Sequence, residues 1–415
     1  MILRSLLVSL ILFFKLVQAS AQDFSAIDSI INVEIDQKNI AGGIALVFHK
    51  GDIVLNKAYG LADIKSNSPM KTNSIFRIAS MTKAIVSIAV LQLVEKGFFQ
   101  LDEPIDKFIP AFKHQKVALI KEGHFELVDK NRSITIRDLL SHQSGIASSE
   151  EYPKFKELFI QYKLDQGFNL GFINLEEEVN QIAAMPLVHQ PGVRFSYGLS
   201  TDVLGRLIEV VSGQNLEQYL QKSILKPLSM NDTYFYLPED KKKRLVTTYV
   251  KTTANQLEDV DTAKFPINFP LLKNREYFSA IGGLVSTTHD YLKFLKCLLN
   301  EGKANNKTII GKSILDQFWT NQLGEKTFIF GGFPSKNNFG LGVGLTTEKG
   351  QSINNASIGS FFWGGAFNTA YMVDKKRQLI TLFFFQRTPF VLPPLLSKLE
   401  KTTIQIIDQY NHARP

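Results

Sequence analysis

A single cysteine, Cys297, stands in the 415 residues. That scarcity excludes an intrachain disulfide scaffold and any cluster of thiolates around a metal. Cys297 falls in an apolar-patterned stretch, 291–299, and reads as a small buried hydrophobe. Long apolar runs are scarce too: beyond the N-terminus none approaches the about 20 residues of a membrane-spanning helix, so no stable membrane span is expected. The Gly-x-Ser-x-Gly elbow of one large hydrolase class is missing, and so is His-Glu-x-x-His. Gly311-Lys312-Ser313 resembles the end of a phosphate loop, but Asn306 stands where that loop needs its first glycine.

What is present fits an ordinary globular protein. Apolar residues make up 44% and charged residues 21%, which excludes a disordered or fibrous chain. The length allows one large unit with an insertion or two smaller ones. At the N-terminus Arg4 precedes an uncharged apolar run, 6–14, and Ala19-Ser20-Ala21 follows. This is the pattern of a signal peptide cut after Ala21, and it predicts a secreted or periplasmic protein. Gln22 comes next, so no lipid-bearing cysteine is expected there. Loss of Arg4 and Lys15 with the leader takes the net charge of +8 down by two. Much of the rest sits in the run 241–244, Lys-Lys-Lys-Arg, after Pro238-Glu239-Asp240. That run reads as a solvated loop, and no nucleic-acid partner is expected of it.

Segments 42–49 and 52–59 are β-rich and separated by Lys50-Gly51, which predicts a hairpin. Residues 78–95 are apolar almost all round and end at Gly97, the signature of a buried helix. Between 101 and 279 helical periods dominate, at 134–141, 175–184, 202–211 and 216–225. A helix is predicted at 288–300, strands at 340–345, 367–373 and 378–385, and a closing amphipathic helix at 392–410. Strands at both ends with helices between them predict an α+β fold. Its antiparallel sheet is built from N- and C-terminal strands and flanked by helices, with a mostly helical inserted domain. The predicted boundaries are 1–21 for the signal peptide, 22–100 with 280–415 for the α/β domain, and 101–279 for the insertion.

Ser80-Met81-Thr82-Lys83 opens the buried helix. A spacing of three puts Ser80 and Lys83 on one helical face. The serine oxygen also lies near the positive end of the helix dipole. A lysine is costly to bury charged in so apolar a helix, and a neutral amine can take a proton from the serine. Ser-x-x-Lys also occurs at Ser68/Lys71 and Ser223/Lys226, but neither context buries the lysine, so context selects Ser80. Tyr197 lies in the loop Phe195-Ser196-Tyr197 after Pro191-Gly192. Alone it reads as a packed aromatic; near an ammonium group a phenol can shuttle protons. Trp363-Gly364-Gly365-Ala366 would alone be a bulge with a core tryptophan, although two glycines also let backbone approach a ligand closely. His142 falls where the helix from 134 ends, before Gly145, and reads as structural.

Taken in order, the hairpin, the Ser-x-x-Lys helix, the helical insertion with its loop tyrosine and the aromatic-Gly-Gly strand resemble the serine β-lactamase-related superfamily. The likeness is to its class C β-lactamase, penicillin-binding-protein and family VIII carboxylesterase branch. Supporting stretches are 76–83, 134–145, 191–205 and 282–291, so it covers nearly the whole mature chain. The resemblance implies a β-lactamase/transpeptidase-like fold and a serine hydrolase that needs no cofactor and no metal. Ser80 would be the nucleophile, Lys83 its proton acceptor and Tyr197 the general base and acid. The N–H groups of Ser80 and Ala366 would form the oxyanion hole, with Trp363, Gly364, Gly365 and Leu199 facing substrate.

Two departures from the family pattern bear on substrate. Tyr-x-Asn becomes Tyr197-Gly198-Leu199, and Lys-Thr-Gly becomes Trp363-Gly364-Gly365. Loss of that lysine removes a charge-assisted contact to a carboxylate, worth about 1.5–3 kcal/mol. Trp-Gly-Gly at this point is similar to what family VIII carboxylesterases carry, and the resemblance therefore implies an esterase for small-molecule esters with apolar parts. The alternatives are a class C-like β-lactamase or D-alanyl-D-alanine carboxypeptidase or D-aminopeptidase, acting on amides or cell-wall peptides, and a non-catalytic cell-wall peptide binder on the same scaffold. The sequence carries no sign of subunit number.

Overall fold

The computed structural model describes residues 22–122, 124–149, 152–164, 174–260, 269–271, 276–330 and 333–412; the predicted leader, 1–21, lies outside them. Helix α1 (Ser25–Asp36) leads into β1 (Gly42–His49) and β2 (Asp52–Asp63). These two strands form the predicted hairpin, turned at Lys50 and Gly51, both at positive φ. Helix α2 (Thr82–Glu95) follows a 3-10 turn, Ala79–Met81. Every side chain of α2 from Thr82 to Leu93 is buried, as its lack of a polar face predicts.

Next come β3 (Lys116–Lys121), β4 (His124–Asp129), α3 (Ile136–Leu140), α4 (Leu175–Ala184), α5 (Ser200–Ser212) and α6 (Thr288–Leu299). The chain closes with β5 (Phe361–Gly365), β6 (Thr369–Asp374), β7 (Leu379–Phe385) and α7 (Pro393–His412). An eight-stranded sheet runs Asn338–Phe339, Gly344–Leu345, β5, β6, β7, β1, β2, Ser68–Pro69. All its pairings are antiparallel. N-terminal and C-terminal segments therefore share one sheet, joined where β1 meets β7, from Gly43 opposite Phe385 to His49 opposite Leu379.

Both faces of this sheet are covered. Ile44, Leu46, Tyr371, Ile380, Leu382 and Phe384 face the larger core with α2 and α6. Ala45, Val47, Met372, Leu379, Phe383 and Phe385 face a second core with α1 and α7. Burial on both sides explains why β1, β6 and β7 read as continuous apolar runs without alternation. Each large apolar side chain fully buried here contributes about 1.5–3 kcal/mol.

The middle of the chain is mainly helical, but it also holds strands that the helical periods hid. The hairpin β3–β4 pairs Lys116 with Asp129 through Lys121 with His124. Its outer half leaves Ile120, Phe125 and Leu127 partly exposed, so it lacks the clean polar-out alternation by which a strand is recognised. Two short strands, Tyr249–Lys251 and Leu257–Asp259, pair with each other, and the first also pairs with Arg387–Thr388. The strand expected over 340–345 shrinks to Gly344–Leu345, with Gly342 turned to φ +99° before it. Residues 351–354 form a short helix between the strand segments. The run 241–244 is a 3-10 turn whose Lys241 and Arg244 pair with Asp232, so it is less free than a solvated loop. Cys297 is buried, as expected.

Candidate active site

Ser80 lies in the 3-10 turn that feeds α2, and the chain reaches it through a constrained backbone. Ala79 has φ +43°, a left-handed conformation that costs a non-glycine residue about 1–3 kcal/mol. Several contacts hold it there. Phe76–Arg77 pairs antiparallel with Val285–Ser286. The buried Arg77 guanidinium donates to the carbonyls of Phe269 and Val246 and to Thr248 Oγ1. Ile78 N–H donates to the Leu284 carbonyl at 3.1 Å, and Leu284 N–H donates to Thr82 Oγ1 at 3.2 Å. The Tyr291 hydroxyl donates to the Met81 carbonyl at 2.8 Å. Ser80 itself is half-buried.

Lys83 is one helical turn on, and its side chain is 2% exposed. Its Nζ donates to Ser80 Oγ at 3.1 Å and to the Ile281 carbonyl at 2.7 Å. The same nitrogen lies 4.8 Å from the centre of the Tyr197 ring. Lys83 is thus the link between Ser80 and Tyr197. A hydroxyl, an amine and a phenol gathered this way are the parts that acyl transfer through a serine requires.

Tyr197 stands just before α5 and is fixed from behind. Ser196 N–H donates to the His142 carbonyl at 2.7 Å. Ser196 Oγ bonds Tyr152 OH at 2.8 Å and His189 Nε2 at 2.5 Å. Burial lowers the His189 pKa to about 4, so this imidazole is neutral near pH 7. Gly198 follows Tyr197, and a Cβ there would sit 2.1 Å from the Ala147 carbonyl carbon. The His142 ring lies 4.8 Å from that of Tyr197. Burial, and secondarily the Lys83 charge, hold its pKa well below that of a free histidine, so His142 packs as a neutral ring.

Trp363-Gly364-Gly365 lies within β5 and not in a turn. The strand pairing of Gly344–Leu345 with β5 stops at Phe362, and Trp363 to Gly365 pair with β6. At Gly365 an added Cβ would lie 2.3 Å from the Ile78 carbonyl oxygen. Only glycine lets β5 approach the Ser80 turn so closely. Ala366 follows and packs with Ala79, Val285 and Phe367. The Trp363 indole lies 5.6 Å from the Tyr197 ring, 5.2 Å from Phe339 and 6.2 Å from Phe328.

The fold thus brings Ser80, Lys83, Tyr197, Gly364, Gly365 and Ala366 together, with Trp363, itself 6% exposed, packed against Tyr197 within the larger core. Leu199 is not brought to them. It is 4% exposed and lines a small apolar cavity with Ile146, Phe159, Ile182 and Leu187, so it is a core residue, not a substrate contact. Sequence reading also passed over Asp202 and the Ile281 carbonyl. The signal for Asp202 was a lone acid on the apolar face of α5, beside Val203 and Leu204.

The family model described as Beta-lactamase matches residues 22–395, and the chain belongs to that family. It is 26% identical over 370 residues to Esterase EstB of Burkholderia gladioli, covering 86% of this chain and 88% of that protein. It is 25% identical over 389 residues to monacolin J acid methylbutanoyltransferase of Aspergillus terreus, covering 90% and 92%. Among solved structures, EstCE1, a hydrolase with promiscuous acyltransferase activity, superposes with a TM-score of 0.77 at 22% identity, covering 90% of this chain and 97% of that one. The fold is therefore the β-lactamase/transpeptidase-like one, and the chain is an enzyme of the serine-hydrolase kind. Among the described residues no helix is long and apolar enough to cross a membrane.

Proposed function

We infer that the protein is an esterase that works through an acyl-enzyme on Ser80. The observation that carries this reading is the contact of Lys83 Nζ with Ser80 Oγ at 3.1 Å beneath the Tyr197 ring. Ser80 Oγ attacks the ester carbonyl carbon and gives its proton to the Lys83 amine. In that step the amine keeps one N–H on the Ile281 carbonyl and turns its lone pair to Ser80. The N–H groups of Ser80 and Ala366 bind the oxyanion. Tyr197 passes a proton to the departing alkoxide, which leaves as the alcohol. Water then attacks the acyl-enzyme, with Tyr197 taking its proton; Lys83 returns its proton to Ser80 Oγ as the bond from that oxygen to the acyl carbon breaks, and the acid is released.

The aromatic surroundings of Trp363 favour esters with apolar acyl parts. No lysine stands at position 363 to attract the carboxylate of a β-lactam or of a peptide ending in D-alanine. A pure binder would need neither the amine nor the phenol. A second reading, transfer of the acyl group to an alcohol instead of water, is favoured by the likeness to a methylbutanoyltransferase. Secretion, with the leader cut after Ala21, remains part of the proposal.

The test is hydrolysis of p-nitrophenyl acetate and butyrate beside nitrocefin, by wild type and Ser80→Ala. Ester turnover that disappears in the variant, with little nitrocefin signal, supports the esterase. Ester turnover that survives Ser80→Ala overturns it. A product shift toward a new ester on adding a primary alcohol would identify the transferase.

A further inference from the structure

Behind the Ser80–Lys83 pair lies a buried acid that the mechanism above does not use. Asp202, in the first turn of α5, is 0% exposed. Its Oδ1 accepts from the Ala280 N–H at 2.6 Å and from the Ile281 N–H at 3.1 Å. The residue clamped by that carboxylate is the one whose carbonyl accepts from Lys83 Nζ at 2.7 Å. The Ser279 side chain bears on the same carboxylate. Burying an acid is costly, and a neutral residue would pack there at less expense.

A second buried acid interacts with Asp202. Glu178, on α4, accepts from the Tyr277 hydroxyl at 2.9 Å. Burial, and secondarily Asp202, push the Glu178 carboxyl well above the usual range, so Glu178 carries a proton. Burial also raises Asp202, to about 7, against the pull of the Ile281 amide and the Lys83 charge. Burial thus raises both acids, while the two amides and the lysine pull Asp202 back toward the ionised form.

We propose that Asp202 is a positioning residue for the catalytic lysine: by clamping the Ala280–Ile281 amides it holds the Ile281 carbonyl on Lys83 Nζ and so keeps the amine against Ser80. The proposal rests on the reading of Lys83 as proton acceptor. It assigns to α5 a second duty, since the helix that Tyr197 precedes also fixes the turn that orients Lys83. A residue that merely anchored the fold would affect melting and leave the turnover of the folded protein alone.

The experiment measures kcat and KM for p-nitrophenyl acetate, with melting curves, for wild type, Asp202→Ala, Asp202→Asn and Lys83→Ala. Asp202→Ala is expected to lower kcat by about 10²-fold, the scale of a displacement of about 1 Å at a reacting group, with KM changed by less than about threefold. Asp202→Asn keeps an oxygen for the two amides and is expected to recover at least about tenfold of that loss. Asp202→Ala with wild-type kcat overturns the proposal, and so does a folded Asp202→Asn no better than Asp202→Ala. Should Asp202→Ala not fold, Asp202→Ser, too short to reach both amides, takes its place with the same expectations. Lys83→Ala with wild-type turnover would instead remove the lysine reading beneath the proposal.

Discussion

The Tyr197 ring and the Trp363 indole lie 5.6 Å apart at 49°. One comes from a loop of the helical region and the other from the sheet, and the indole stands where the family pattern has a lysine. Phe339 and Phe328 extend the apolar wall behind Trp363. Trp363→Leu should raise KM for p-nitrophenyl butyrate about tenfold, the effect of losing ~1.4 kcal/mol of contact. Acetate, with less to bury, should change less. Equal effects on both esters would mean that the indole does not touch the acyl chain.

Tyr197 also carries a prediction of its own, because its ring and its hydroxyl can be separated. Tyr197→Phe keeps the ring against Lys83, His142 and Trp363 and removes only the hydroxyl to which the proposed mechanism gives the proton transfers. For ester hydrolysis kcat should fall by about 10²- to 10⁴-fold, the usual share of general acid–base catalysis, with melting unchanged. A variant with kcat near wild type would leave Lys83 as the sole proton carrier.

At Gly365 the backbone of β5 meets the Ile78 carbonyl. Gly365→Ala must push β5 off the turn that carries Ser80, an overpacking that costs about 1–3 kcal/mol. The expected result is a lower melting temperature together with a kcat drop of at least about tenfold. Gly359→Ala is the control for loss of a glycine without overpacking: a Cβ there would touch nothing within 4 Å. It should leave ester kcat alone. Unchanged kcat in Gly365→Ala would separate β5 from the chemistry.

The parts of this architecture legible in the sequence were those whose burial leaves a pattern. α2 has no polar face, β1 and β7 are apolar runs, and Lys50-Gly51 marks their first turn. Ser80 and Lys83 could be paired because one helical turn brings them together whatever surrounds them. Leu199 was misread because its family position is polar, whereas here the side chain turns into the core. The Ile281 carbonyl was not legible at all, since a backbone acceptor has no residue type. Asp202 gave a signal, a lone acid among buried apolar residues, but its partners lie some eighty residues further along the chain. The hairpin β3–β4 escaped because its apolar positions are half-exposed and its charges fall on both strands.

Far from the cleft, Glu400 on α7 makes a prediction about stability and pH. Its carboxyl is 8% exposed and accepts from Asn354 Nδ2 at 2.6 Å. Burial raises its pKa from 4.5 to about 7, with the Asn354 bond acting in the opposite sense. The folded state therefore binds a proton that the unfolded chain releases near 4.5. That contribution is complete below about pH 4.5 and is lost as pH rises through about 7, roughly 3 kcal/mol between the two limits. Glu400→Gln stays neutral at every pH and keeps an oxygen for Asn354. It should melt close to wild type at pH 5 and several degrees above it at pH 8. The same melting difference at both values, or a wild type more stable at pH 8, would mean that Glu400 is charged in the folded protein.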